Sequence, residues 1–305
     1  MKPPGLRPFM GDNRMKKFDY HQPKTVAEAL QLMQEAKGMQ KYVAGGTDLI
    51  VRMKQGLVHP LALISLRGVE SLKFIRTDSD GGMTLGSMTL LRDIERDERI
   101  RESYPALWQA VRVLANPQVR NVATIGGNVV NSAPSADCAP PLLVLGAMVV
   151  LEGPTGRREI PVARFFIGPR TNCMSAAEIM TGIKLPSASV RSGMAFEKMG
   201  RVSQDIAVVN AAALIEMEGQ VCRRCRLVAG AVAPIPLRLT GAERLMEGET
   251  ITQGLLERLS KAVEAEVRPI TDVRATEAYR RVISGVLVKR AVVQALKHLQ
   301  LKHLQ

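Results

Sequence analysis

Apolar residues fall along the chain in short stretches of two periodicities, set apart by glycine and proline. Val26, Ala29, Leu30 and Met33 recur at helical spacing behind Thr25 and Glu28, which stand three apart as a capping box requires, and Gly38 is the expected stop. A strand over 41–44 runs into Gly45-Gly46, and a second helix is expected over 48–55, closed by Gly56. Residues 61–65, 72–76 and 83–85 read as strands, the last two joined by an Asp80-Gly81-Gly82 turn. Helical spacing returns over 90–101 and 105–114, followed by a glycine-containing loop at 124–128 and a short helix begun by proline at 140–145. Residues 149–152 and 158–161 flank Gly153-Pro154-Thr155-Gly156 as the arms of a hairpin, and a strand over 179–185 ends at Pro186. The composition shifts there: 193–198, 207–217 and 221–231 form a run of strands, and helices over 252–265 and 276–296 close the chain. This order predicts an α+β protein with a boundary near 187–191.

A length of 305 residues suits about two domains, each with its own core, and 46% hydrophobic with 23% charged residues is a globular balance. The longest nearly apolar run, 139–151, is broken by Pro140, Pro141 and Gly146 and falls short of the roughly 20 residues of a membrane span. The first residues lack the apolar core of a secretory signal, so the expected location is the cytoplasm. The four cysteines, Cys138, Cys173, Cys222 and Cys225, are too few for a disulfide scaffold.

A net charge of +13 invites a nucleic-acid-binding reading. The distribution weakens it: residues 1–24 hold six Lys/Arg against two acids and residues 268–305 hold eight against two, which leaves the body nearly balanced. Aromatics make up 4%, too few for a base-stacking platform. The basic C-terminal helix, with Arg280, Arg281, Lys289 and Arg290, is expected to face solvent or an acidic partner, solvent first. No metal site is expected, because His21, His59, His298 and His303 stand away from the cysteines. Cys222 and Cys225 lack a second pair and, on a regular strand, point to opposite faces.

No two glycines are two residues apart, which removes GxGxxG, and GxxxxGK[ST] is also absent. Two glycine pairs stand out instead. Val43-Ala44-Gly45-Gly46-Thr47-Asp48-Leu49 lies between strand and helix, where successive N–H groups can bind an anion without a cationic side chain. Thr124-Ile125-Gly126-Gly127-Asn128 is followed by Ser132 and Asp137, a carboxylate suited to accept from ribose hydroxyls. Two such loops suit a pyrophosphate gripped from both sides, while each alone is also compatible with a tight turn.

VAGGTDL, VRNVATIGGNVVNSAPSAD and FEKMGRVSQDIA together resemble the FAD-binding (medium) subunit of the molybdenum hydroxylases, the group of xanthine dehydrogenases, carbon monoxide dehydrogenases and aromatic-acyl-CoA reductases. The resemblance spans about residues 15–295. It implies a two-part FAD-binding domain of the vanillyl-alcohol-oxidase/PCMH type over 15–188, with subdomains of about 15–67 and 68–188. A smaller α+β domain of meander and helices over 190–296 would follow, with a loose extension over 1–14 and a tail over 297–305 containing part of a tandem LKHLQ repeat.

The resemblance carries FAD-binding roles onto Tyr42, Val43, Ala44, Gly45, Gly46, Thr47, Asp48 and Leu49 for the first loop and Ala123, Thr124, Ile125, Gly126, Gly127 and Asn128 for the second. Asp137 matches a ribose-binding aspartate, Lys198 a lysine near the flavin ring, and Ile206, Leu114 and Met180 apolar residues around that ring. A surface lysine is the bland alternative for Lys198. The acidic stretch before Asp-Ile-Ala in nicotinamide-reducing relatives is Val202-Ser203-Gln204 here, which weighs against NAD+ as acceptor. Only Cys138 follows the second loop closely, so no iron–sulfur cluster is expected in this chain. The implied function is electron transfer, from [2Fe-2S] clusters of a small partner subunit to an external acceptor. A large partner would carry the molybdenum cofactor and oxidise substrate, in a dimer of heterotrimers. A self-sufficient FAD-dependent oxidoreductase on the same fold and a basic nucleic-acid-binding protein are the alternatives.

Overall fold

The computed structural model describes residues 15–35 and 39–302. The extension over 1–14, the stop at Gly38 and the end of the LKHLQ repeat lie outside the described residues. A small lobe comes first, in the order β1 (Asp19–His21), α1 (Val26–Glu35), β2 (Gln40–Val43), α2 (Leu49–Lys54), β3 (Ala62–Ser65). Its three strands form a parallel sheet ordered β1-β3-β2. The cap of α1 is half the expected box: Thr25 Oγ1 accepts from Glu28 N at 3.1 Å, but Glu28 reaches back to the N–H of Lys24, at 2.8 Å.

A larger α+β layer follows. β4 (Ile75–Thr77) and β5 (Met83–Gly86) meet through the Asp80-Gly81-Gly82 turn, and residues 70–72, at the start of the expected strand, coil instead into a 3-10 turn. The helix expected over 90–101 is two, α3 (Leu91–Arg96) and α4 (Glu98–Ser103), because the Asp97 carboxylate accepts from Arg99 N and Ile100 N and restarts the helix. Then come α5 (Pro105–Arg112), α6 (Pro117–Arg120), α7 (Ile125–Val130) and α8 (Ala139–Leu145). The segment at 124–128 is thus the first turn of α7 rather than a loop; two glycines mask it, glycine being a poor helix former. β6 (Met148–Gly153), β7 (Gly156–Pro161), β8 (Phe166–Gly168), β9 (Thr171–Asn172) and β10 (Ile179–Leu185) complete the layer, whose five-stranded antiparallel sheet runs β4-β5-β10-β6-β7.

The C-terminal part is a meander of β11 (Ser192–Met199), β12 (Val209–Glu218), β13 (Val221–Gly230) and β14 (Leu237–Arg238), with α9 (Thr240–Met246), α10 (Gln253–Glu266) and α11 (Glu277–Lys302). Its sheet is buried on both faces, which is why β12 reads as an apolar run over 211–215 rather than as an alternation. Met194, Phe196, Ala212, Leu214 and Val228 enter the core of the preceding layer, while alternate residues Ala195, Ala213, Ile215 and Leu227 pack with α9, α10 and α11. Contact with α11 is backbone-close: a Cβ on Gly193 would lie 1.9 Å from the Ala295 carbonyl oxygen.

Three expectations fail here. Residues 297–302 are the last turns of α11, not a tail, and Leu299 is buried. Of the four cations expected to face outward, Arg280 turns inward and Arg281 is half-buried, while Arg290 is exposed. Arg280, only 3% exposed, donates to the carbonyls of Val208 and Ala231 and to Asp272, and Arg281 donates to the carbonyls of Glu264 and Val267. The five donors of a guanidinium let it cap several carbonyls at once, so burial is tolerated. Cys222 and Cys225 lie on the same face, in the core against α9: the register slips between Glu216 and Met217, Arg223 is the extra residue, and this bulge cancels the alternation.

The contact from Arg280 organises the loop before α11. Asp272 Oδ1 accepts from Arg280 Nη2 at 2.7 Å and from the N–H groups of Arg274 and Ala275. Burial works to raise the Asp272 pKa, but the Arg274 N–H, the Arg280 guanidinium and the Ala275 N–H outweigh it and bring it from 3.8 to about 2. A folded value below the unfolded one gives stability that is present above 3.8 and lost as pH falls through about 2. Asp272→Asn is therefore expected to flatten the loss of stability between those pH values, read by urea unfolding at stepped pH.

Candidate functional site

A cleft of about 710 Å3 runs between the small lobe, the helices after β5 and, from the C-terminal part, the end of β11 with the loop that follows it, a volume typical of cofactor pockets. Of the residues expected to bind cofactor, all but Ile125 line it. Ile125 is fully buried in the core, and its N–H donates to the Thr89 carbonyl.

The first loop is shaped by two glycines with different duties. Gly46 turns the chain at φ +76°, between the end of β2 and the start of α2. At Gly45 a Cβ would stand 2.2 Å from the Val122 carbonyl oxygen and 2.8 Å from Ala123 Cα, so the missing side chain lets the small lobe touch the turn between α6 and α7. Arg67, just after β3, donates from Nη2 to the Gly45 carbonyl at 3.1 Å and turns that oxygen away. The N–H groups of Gly45, Gly46 and Thr47 find no acceptor among the described residues. Such a row of unpaired amides is an anion nest.

The second loop is not its mirror image. Gly126 N donates to the Ser87 carbonyl, Gly127 N to Thr124 Oγ1 at 3.0 Å, and Asn128 N to the Thr124 carbonyl. Its amides are therefore all spent within the protein, those of Gly127 and Asn128 on the cap of α7. What it offers the cleft is side-chain chemistry: Asn128 Oδ1 and the neighbouring Ser87 Oγ are buried with no partner among the described residues. Between the loops, Asp48 accepts from Asn131 Nδ2 at 2.7 Å and from Arg170 at 3.2 Å, tying α2 to α7 and to the β8–β9 turn. Arg52, Asn131 and Arg170 also line the cleft; Arg52 and Arg170 lie outside the motifs, and Asn131, inside the second one, had no role of its own to mark it.

At the other end stand the charges. Lys198 Nζ donates to Asp137 Oδ2 at 2.6 Å and to the Val113 carbonyl at 3.2 Å, and the two side chains are 7% and 6% exposed. Lys198 is thus no surface lysine. Burial pushes the Asp137 carboxyl above the usual carboxylate range, against the opposing pull of Lys198 and Asn210. Asn210 donates to Asp137 Oδ1 at 2.8 Å and was missed, although a lone amide among the apolar residues of β12 is a visible signal. Leu114 and Met180 form buried apolar walls, Met180 next to a bulge at Thr181 in β10. Ile206 is half exposed at the mouth, beside Gln204 and Arg274.

Comparison with known proteins adds the following. Residues 16–188 match the family model described as the FAD binding domain in molybdopterin dehydrogenase, and residues 194–295 the CO dehydrogenase flavoprotein C-terminal domain. The carbon monoxide dehydrogenase medium chain of Hydrogenophaga pseudoflava is 32% identical over 90% of this chain and 96% of its own. The putative xanthine dehydrogenase FAD-binding subunit of Escherichia coli K12 is 29% identical over 91% and 95%. Among solved structures, carbon monoxide dehydrogenase from Hydrogenophaga pseudoflava, in a form lacking the Mo-pyranopterin moiety, superposes with a TM-score of 0.91 at 31% identity, covering 93% of this chain and 99% of that one.

Because the lobes meet backbone to backbone at Gly45, Gly45→Ala is expected to force them apart at a cost of about 1–3 kcal/mol, as overpacking does. Denaturant unfolding of the variant beside the parent measures that cost.

Proposed function

The chain belongs to the family of FAD-binding subunits of the molybdopterin dehydrogenases, and from that premise we propose that it serves as the electron-transfer subunit of a molybdenum hydroxylase complex. It takes electrons from [2Fe-2S] clusters on a small partner subunit and delivers them to an external acceptor. A large partner, carrying the molybdenum cofactor, oxidises the substrate; the proposed assembly is a dimer of heterotrimers in the cytoplasm. No helix among the described residues is long and apolar enough to cross a membrane.

The observation that carries this reading is one continuous cleft that an FAD molecule fits by chemistry at each end. The unpaired amides of Gly45, Gly46 and Thr47 suit the pyrophosphate oxygens. The unclaimed Ser87 Oγ and Asn128 Oδ1 suit ribose or ribityl hydroxyls, and Asp137 has lone pairs beyond those its two donors use. Leu114, Met180 and Ile206 offer the apolar surface a flavin ring needs. Bound FAD supplies the redox chemistry. The chain holds it, shields the ring between aliphatic side chains and sets a cation beside it. Val202-Ser203-Gln204 at the mouth bears no acidic side chain, in keeping with an acceptor other than NAD+.

Two measurements test this. Purified chain incubated with FAD is expected to retain visible flavin absorbance after gel filtration; a colourless protein defeats the proposal. Lys198→Met is expected to make the reduced flavin harder to form, lowering the two-electron equilibrium constant at least tenfold, or about 30 mV. An unchanged midpoint potential would remove Lys198 from the role.

A further inference from the structure

Asn210 is out of keeping with its surroundings. It sits in β12 between Val209 and Ala211, in a strand buried on both faces, and it is itself wholly buried. An amide in such a place costs free energy unless its polar atoms are bonded, and only one of them is. Its Nδ2 donates to Asp137 Oδ1 at 2.8 Å, whereas Oδ1 has no partner among the described residues. The next strand makes room for it: a Cβ on Gly230 would lie 2.1 Å from Asn210 Oδ1. Packing gives no reason for these two residues, since an aliphatic side chain opposite a small one would fill the same space with no orphaned oxygen.

The reason lies across Asp137. The carboxylate is held at both oxygens, Oδ1 by Asn210 and Oδ2 by Lys198. Lys198 Nζ spends a second proton on the Val113 carbonyl. An ammonium has three N–H groups, so one is left, on a side chain that lines the cleft. Where the ammonium sits therefore depends on where the carboxylate sits, and among the described residues the carboxylate has one other anchor. Both Lys198 and Asn210 come from the C-terminal sheet, on paired positions of β11 and β12, and they grip the same residue of the preceding layer. We infer that Asn210 is a positioning residue for Lys198: by holding Asp137 Oδ1 it fixes the carboxylate that seats the ammonium, and so fixes a positive charge beside the flavin. This rests on the cleft being the FAD site.

The full-length chain reconstituted with FAD allows the test, with the midpoint potential read by spectroscopic titration. Asn210→Leu keeps the number and branching of the side-chain heavy atoms and removes the donor; Asn210→Thr keeps a small polar side chain whose hydroxyl stops short of the carboxylate, and is the milder change should the first fail to fold. Each is expected to lower the two-electron equilibrium constant at least tenfold, about 30 mV, in the same direction as Lys198→Met. On the Lys198→Met background the same substitutions are expected to change it less than threefold, because the charge they position is gone. A shift below threefold in a folded, flavin-loaded variant, or an equal shift with and without Lys198, overturns the role of Asn210. A parent chain that binds no FAD overturns the assignment of the cleft itself.

Discussion

Two lengths of backbone meet with nothing between them where Gly45 faces Val122 and Ala123. The small parallel lobe has a core of its own around Val43, Met53 and Leu63 and shares a second with Met88 and Ile179 of the larger layer, apolar packing that by itself would permit many arrangements. This contact selects one. It brings the amides after β2 next to the helix that begins at Thr124, and the Asp48–Asn131–Arg170 cluster then fastens the same edge through side chains. The cleft exists because the lobe is held at that line and diverges from the larger layer on either side of it.

The two glycine loops look like equals in the sequence and are not. Both put paired glycines between a strand-like stretch and a helix, yet one leaves its amides unclaimed and the other spends them on its own cap and on the Ser87 and Thr89 carbonyls. A glycine pair states only that backbone must come close to something. Whether that partner is a ligand or another stretch of chain depends on the neighbours, and Ser87 and Thr89, which accept from the second loop, lie more than thirty positions upstream.

Much of the architecture was legible because local signals agreed with the tertiary result. The meander was marked by its apolar runs, and the hairpin at Gly153–Gly156 by its turn residues. What was misread depended on contacts no window contains. Asp97 splits a helix by capping, Arg223 turns two cysteines to one side, and Arg280 goes inward to meet carbonyls some fifty and seventy residues away. In the site, the motif-borne residues were legible, together with Lys198. Asn131, the exception inside the second motif, and Arg170 and Asn210 outside any motif were not, because what each does rests on a partner distant in sequence.

Asp137 and the two side chains that grip it are separated along the chain by the whole of β6 to β10. Synthesis runs from the N-terminus, so both glycine loops leave the ribosome well before Lys198 and Asn210 do. A nascent chain has its anion nest early and the charged wall of its cleft late. Loading a cofactor firmly at both ends is accordingly an event of the finished polypeptide, after the last sheet has docked. A chain truncated before β11 would be an incomplete container, however well its first layer folds.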